Sequence, residues 1–229
     1  MTYVERPTRL PEPPAELGRL GTGLAWLASA QGAWPPHPPR RPHLLDVVSG
    51  EGYQAGCAEA DALADEGVDL LVVEASGEPV AALIVLCALL DLEPVVAVGT
   101  AASAGWSERL VQVRDGLRAA RTHVWDPQLL LTDPTLGRLT GLLAQAPVRK
   151  TPVILGGSTV VAAAALVADR LAADARYWWL AGAAPTQTAA KLAAADLVLD
   201  PMLDLGLAVP GGAALTLEVL VRGLELIHA

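Results

Sequence analysis

The chain of 229 residues has no phenylalanine and no asparagine, only two cysteines, and only Lys150 and Lys191 as lysines among its 16 basic residues. Each scarcity excludes something. Cys57 and Cys87 are too few for a disulfide framework or a zinc site, which points to a reduced cytoplasm. Charged residues make up 18%, and the formal net charge of −9 argues against a nucleic-acid partner, which needs a basic face to neutralise phosphates. No uncharged apolar run reaches the ~20 residues of a membrane helix. The densest stretch, Pro79–Leu92, is too short and contains Asp91. Glu5, Arg6, Arg9 and Glu12 precede any apolar run, unlike a secretory signal. Without asparagine, capping and turning fall to Asp, Ser, Thr and Gly. The shortage of Lys, Phe and Asn beside abundant Ala, Leu and Arg has the look of a GC-rich codon bias. What remains is apolar, 52% hydrophobic, enough for a large core and far from a disordered composition.

Along the chain, residues 1–14 are Pro-rich and charged and read as an extended arm. Leu17, Leu20, Leu24 and Leu27 recur at helical spacing within Glu16–Gln31, with Gly32 as a stop. The segment Trp34–Pro42 (WPPHPPRRP) is a stiff linker, because each proline lacks an N–H and restricts its predecessor. From His43, apolar runs alternate with helical stretches. Strands are expected at Leu44–Val48, Leu70–Glu74, Val95–Val98, Val153–Leu155 and Tyr177–Ala181, and a weaker one at Leu197–Leu199. Helices are expected at Tyr53–Glu66, Pro79–Leu90, Ser107–Arg121, Pro134–Ala146, Thr159–Ala172, Thr186–Ala194 and Ala213–Ile227. This alternation implies βαβ units and a parallel sheet. The run LLVVEA is apolar on successive residues, as a strand buried on both faces should be. The division reads as 1–42 for arm, helix and linker, 43–208 for an α/β core and 209–229 for a C-terminal helix.

In a parallel sheet, ligands bind beyond the carboxyl ends of the strands. Those ends carry Ser76 and Gly77, then Gly99 and Thr100, then Gly156, Gly157 and Ser158, and finally Gly182 with its neighbours. Glycine and small hydroxyls ahead of a helix let backbone N–H groups approach an anion. Ser158 is placed as the N-cap of the helix that follows it. Neither GxGxxG nor GxxxxGK(S/T) is present, so no dinucleotide or P-loop fingerprint applies.

The segments RLPEPPAELGRLGTGLAWLASAQG (Arg9–Gly32), EGVDLLVVEASGEPVAA (Glu66–Ala82), VGTAASAGWSER (Val98–Arg109), KTPVILGGSTVVAAAA (Lys150–Ala165) and LDLGLAVPGGAALTL (Leu203–Leu217) occur in a telling order. They resemble, one after another, the characteristic stretches of the nicotinate-nucleotide:dimethylbenzimidazole phosphoribosyltransferase family, which builds the lower ligand of cobalamin. The resemblance implies an α/β fold with three α/β/α layers, a parallel doubly wound sheet, a small helical subdomain from the chain ends, and a homodimer. It implies a nucleotide or a benzimidazole-type base as the small-molecule partner; from the residues, no cofactor or metal is expected. Arg109 takes the place of the family's lysine. Gly211 and Gly212 fall in the loop that resembles the family's GEGTG. With Ser76, Gly77, Gly99, Thr100, Gly156, Gly157 and Ser158, these are the candidate residues for nucleotide or phosphate.

The departures bear on activity. The family's AADHGV strand end and the Gly-rich segment after it have no counterpart between Val48 and Glu51. The acid of GEMGIGNTT survives as Glu74, but Glu78, Pro79 and Val80 stand where the family has Asn-Thr-Thr. The loop that carries the family's general-base glutamate reads Ala208–Ala213 here, with no ionisable group. The sequence identifies no replacement base beyond Glu74 as a catalytic candidate, with Glu51 and Glu78 the other carboxylates near the predicted strand ends and His123 eligible by residue type alone. Three readings follow: a degenerate homologue that binds a nucleotide, base or cobalamin precursor or supports a paralogue; an active transferase with a rebuilt site; or a different enzyme on the same scaffold. Trp178 and Trp179 read as core, and Asp200 and Asp204 as turn and capping residues.

Overall fold

A computed structural model describes residues 2–8, 15–76, 80–99, 105–123, 126–205 and 211–228. Strands β1 (Thr2–Tyr3), β2 (Pro42–Asp46), β3 (Leu70–Glu74), β4 (Val153–Leu155), β5 (Ala172–Ala173) and β6 (Trp179–Ala181) alternate with helices. The helices are α1 (Gly18–Gln31), α2 (Tyr53–Asp65), α3 (Val80–Leu90), α4 (Pro94–Val98), α5 (Trp106–Ala120), α6 (Pro134–Val148), α7 (Thr159–Leu171), α8 (Thr188–Asp196) and α9 (Gly212–His228). The main sheet has the order β2-β3-β4-β6, all parallel.

Side-chain alternation in the strands builds the layers. Leu71, Val73, Val153, Leu155 and Trp179 join the large apolar cluster made by α2, α3, α5, α6, α7 and α8. Leu70, Val72, Ile154 and Leu180 point the other way, into a smaller cluster with α1 and α9. β3 is therefore buried on both faces, as its unbroken apolar run requires. The result is the expected three-layer α/β/α arrangement. Its winding has a specific form: strands follow chain order across the sheet, the crossover helices lie on one face, and the chain-end helices α1 and α9 cover the second.

Two expected strands are not strands. Val95–Val98 lies in α4. Glu93 and Pro94 start a helix, proline being pre-organised for the first helical position. β3 also already has neighbours on both sides, so the sheet offers no place there. Leu197–Leu199 is the turn that ends α8, with Val198 in the left-handed region at φ 56° and 79% exposed. The last strand is shorter than Tyr177–Ala181, because Ala175–Trp178 forms a 3-10 turn. Both Trp178 and Trp179 are core residues, and both sit in the same large cluster. The N-terminal arm contributes a strand the sequence did not reveal: Thr2–Tyr3 pairs in parallel with Ala172–Ala173. Trp178 ties the arm down by donating its indole N–H to the Glu5 carbonyl at 2.8 Å.

α7 shows why an apolar helix need not be amphipathic. Thr159 to Ala168 are buried almost throughout, between α3, α6 and α8. Its N-cap is Ser158, whose Oγ accepts the Val161 N–H at 3.3 Å, as the sequence indicated. Gly32 terminates α1 in the left-handed conformation at φ 68°, the role for which glycine has no steric penalty.

Candidate functional site

All four strands of the main sheet end at the same edge, and a cleft of about 560 Å³ opens there. Leu44, Leu45, Asp46 and Val72 form one wall, and Glu74, Ala75 and Ser76 the floor beside it. Gly157, Ser158 and Thr159 begin α7 on the opposite side. Ala183, Ala184, Thr186, Gln187, Gly211 and Ala214 complete the lining.

Glu74 is the best-defined acid in it. It ends β3, half-buried, and accepts the Ala213 N–H in the first turn of α9 at 2.6 Å. A carboxylate at that position satisfies one of the unpaired donors of a helix start and faces the positive end of its dipole. Gly156 makes room for it: a Cβ there would overlap the Glu74 carboxyl. Burial nevertheless pushes the Glu74 pKa up, opposed by the Ala213 N–H and reinforced by the nearby Asp46 charge. Asp46 is the register partner of Glu74 on β2, and Ser76 donates its hydroxyl to the two Asp46 carboxyl oxygens at 3.2 and 3.3 Å.

The raised value has a sign that can be measured. A folded pKa above the unfolded value, about 4.3 for Glu, gives stability that is fully present below the unfolded pKa. That stability is lost as pH rises through the folded pKa. Glutamine mimics the neutral acid and keeps an acceptor for Ala213. The melting temperature of Glu74→Gln minus that of the wild type should therefore grow as the pH is raised from acid to neutral. A difference that stays flat across that range would mean that burial does not raise the Glu74 pKa.

The sequence-derived candidates divide. Ser76, Gly157, Ser158, Gly211 and Glu74 line the cleft, and Gly156 and Gly212 adjoin it in the chain. Gly157 approaches the neighbouring strand end closely, a Cβ there lying 3.0 Å from the Ala183 carbonyl oxygen. Gly99 stands outside the lining beside Gln187, at φ 81°, its carbonyl accepting the Trp106 indole N–H at 2.8 Å. Arg109 lies in α5 and does not line the cleft. Gly77 and Thr100 fall outside the described residues, as do Glu78, Pro79, Val209 and Pro210. Glu51 belongs to a separate hollow with Glu59 and Arg138, and His123 follows α5, so neither reaches the cleft. Asp46, Thr159, Thr186 and Gln187 were not singled out from the sequence. Asp46 carries a usable signal, an acid closing an apolar strand, a feature it shares with Glu74.

The thiols lie elsewhere. Burial pushes the buried Cys87 up to about 11 and raises Cys57, so neither is a ready nucleophile. Among the described residues, no three His, Cys, Asp or Glu side chains gather as a metal site. No helix of the described residues is long and apolar enough to cross a membrane.

Comparison with known proteins adds a second line of observation. A family model described as Phosphoribosyltransferase matches residues 49–229. The nicotinate-nucleotide--dimethylbenzimidazole phosphoribosyltransferase of Mycobacterium avium is 43% identical over 175 residues, covering 72% of this chain and 50% of that protein. That of Mycobacterium leprae is 41% identical over 186 residues, covering 78% and 53%. The chain thus spans about half the length of the curated relatives it matches. The crystal structure of CobT from Thermus thermophilus superposes with a TM-score of 0.76 at 20% identity, covering 96% of this chain and 93% of that one, a likeness of fold.

Proposed function

Because the chain belongs to the phosphoribosyltransferase family matched over residues 49–229, we propose that its strand-end cleft binds an aromatic nitrogen base of the dimethylbenzimidazole kind without transferring phosphoribose to it. The observation that carries this reading is the charge of the cleft. Its described lining residues include Asp46 and Glu74 but no Lys, Arg or His. A nucleotide phosphate placed there meets two carboxylates and no cation to offset them, whereas a flat ring meets Leu44, Leu45, Val72 and Ala214. Glu74, the remaining acid–base group at depth, is engaged by the Ala213 N–H. A general base contributes ~10²–10⁴-fold to a rate, so a family member whose best-buried carboxylate of the described cleft lining caps a helix is expected to be slow.

The test uses the substrates that name the relatives. The protein incubated with nicotinate mononucleotide and dimethylbenzimidazole should form no α-ribazole phosphate above the protein-free control. Dimethylbenzimidazole alone should raise its melting temperature. Steady product formation that disappears in Glu74→Gln would instead favour an active transferase with a rebuilt site. Two further parts of the reading are a reduced cytoplasmic location, resting on the unpaired Cys57 and Cys87, and a homodimer, resting on the family resemblance.

A further inference from the structure

We propose that the ligand of this cleft is a cation that carries N–H donors on an aromatic ring, an amidinium or a protonated nitrogen heterocycle, seated between the Asp46–Glu74 pair and the Thr159 hydroxyl. This rests on the reading of the cleft as a ring-binding site and adds the charge and polarity of what it holds.

Two independent observations meet here. The first is an acidic pair with no cationic side chain among the described lining residues. Asp46 and Glu74 are register partners at adjacent strand ends, and both line the cleft. Ser76 fixes the orientation of Asp46, and the partner found for Glu74 is the neutral Ala213 N–H. No cation stands among the described lining residues to balance them. In the reduced dielectric of a half-enclosed cleft, such a pair favours a positive ligand and opposes a negative one more strongly than it would in water.

The second is a hydroxyl with nothing to bond. Thr159 lines the opposite side of the cleft at the start of α7, only 2% exposed, and its Oγ1 is buried without a hydrogen-bond partner. Its neighbour Ser158 is satisfied by the Val161 N–H, so the capping of α7 does not need it. Buried polar groups are ordinarily paired, and an orphan one marks a place where a partner belongs. A ligand N–H donated to Thr159 Oγ1 completes that pairing, while the ring lies against Leu44 and Val72. The acidic pair selects an amidinium or imidazolium over a phosphate or a carboxylate, and the Thr159 oxygen supplies an acceptor for one of its N–H groups.

The experiment is calorimetric titration of the full chain, at neutral pH and low salt, with three ligands of nearly one shape: benzamidine (a cation), benzamide (neutral) and benzoate (an anion). Dimethylbenzimidazole is run beside them. Benzamidine should bind at least about tenfold more tightly than benzamide, and benzoate should not bind. The preference should shrink with added salt and largely vanish in Asp46→Asn, an exposed position where the conservative change leaves the strand intact. Thr159→Val, nearly isosteric, should weaken benzamidine and benzamide alike, with its thermal melt confirming the fold. Equal affinities for benzamidine and benzamide, or tighter binding of benzoate or inorganic phosphate, overturn the inference. If dimethylbenzimidazole binds while charge makes no difference, the ring-binding reading stands and this one falls. If neither dimethylbenzimidazole nor benzamidine binds, both fall.

Discussion

Gly141→Ala is expected to lower the melting temperature by up to about 10 °C, although alanine is the better helix former by roughly 0.5–1 kcal/mol. The reason is the crossing of α2 and α6, the most extensive helix contact among the described residues. A Cβ at Gly141 would overlap the Tyr53 carbonyl oxygen, with the Cys57 amide nitrogen 3.0 Å away. On the facing helix, a Cβ at Gly56 would overlap the Arg138 carbonyl, with the Leu142 amide nitrogen at 2.8 Å. These obstacles are backbone atoms, so no rotamer change relieves them, and the helices must separate. Separation also strains the bidentate pair of Arg138 with Glu59 (2.8 and 2.6 Å), which spans the junction. Overpacking of this kind costs about 1–3 kcal/mol, and each kcal/mol moves the melting point of a chain this size by roughly 2–4 °C. Gly116→Ala is the control. Its Cβ would meet the end of the flexible Ile84 side chain, and a turn of that side chain should hold the cost below about 1 kcal/mol. Equal melting points for the two variants would show that α2 and α6 have room to spare. The double change Gly56→Ala/Gly141→Ala should cost less than the sum of the single ones, since helices already separated by one methyl admit the second more cheaply.

The second large effect is expected at Gly156. Alanine there places a methyl group where the Glu74 carboxyl now lies. The side chain must swing away from the floor of the cleft, and the Ala213 N–H loses its partner. Loss of a helix-start acceptor costs about 0.5–2 kcal/mol, and the displaced carboxyl intrudes on the ligand's space. Gly156→Ala should therefore destabilise the fold by about 1–2 kcal/mol and abolish the thermal shift given by dimethylbenzimidazole. Glu74→Ala removes the obstacle as well as the cap. In the double variant Gly156→Ala/Glu74→Ala, the two losses should overlap instead of adding, with a coupling of about 0.5–3 kcal/mol in denaturant unfolding. Strict additivity would mean that Gly156 and Glu74 do not share space.

These predictions rest on close approaches that no spacing rule announces. Periodicity located each of the nine helices that the structure describes except α4. That one exception is instructive, because PVVAV has the composition of a strand. Proline at the helix start and the lack of a place beside β3 decided otherwise. The strand-end rule brings Ser76, Gly157 and Ser158 to one cleft, and the family resemblance adds Glu74 and Gly211. The strand-end rule also points to Gly99, which stands outside that lining because the segment before it is the helix α4; Arg109, nominated by the family resemblance, lies outside it too.

Composition, apolar runs and helical spacing determined by themselves that this is an α/β chain with a parallel sheet, since local propensity and burial pattern are properties of neighbouring residues. The scarcity of lysine and of charge was also visible from the start, but its meaning was not. Only the tertiary structure decided that Asp46 and Glu74 stand side by side, that Ala213 occupies one oxygen of Glu74, that Thr159 faces them with an unpaired hydroxyl, and that no cation of the described lining offsets the acids. Asp46 and Thr159 are more than a hundred positions apart in the chain. What brings them to one cleft is the pairing of β3 with both β2 and β4 and the packing of α7 and α9 against opposite faces of the sheet, and those contacts leave no trace in the spacing of residues along the sequence.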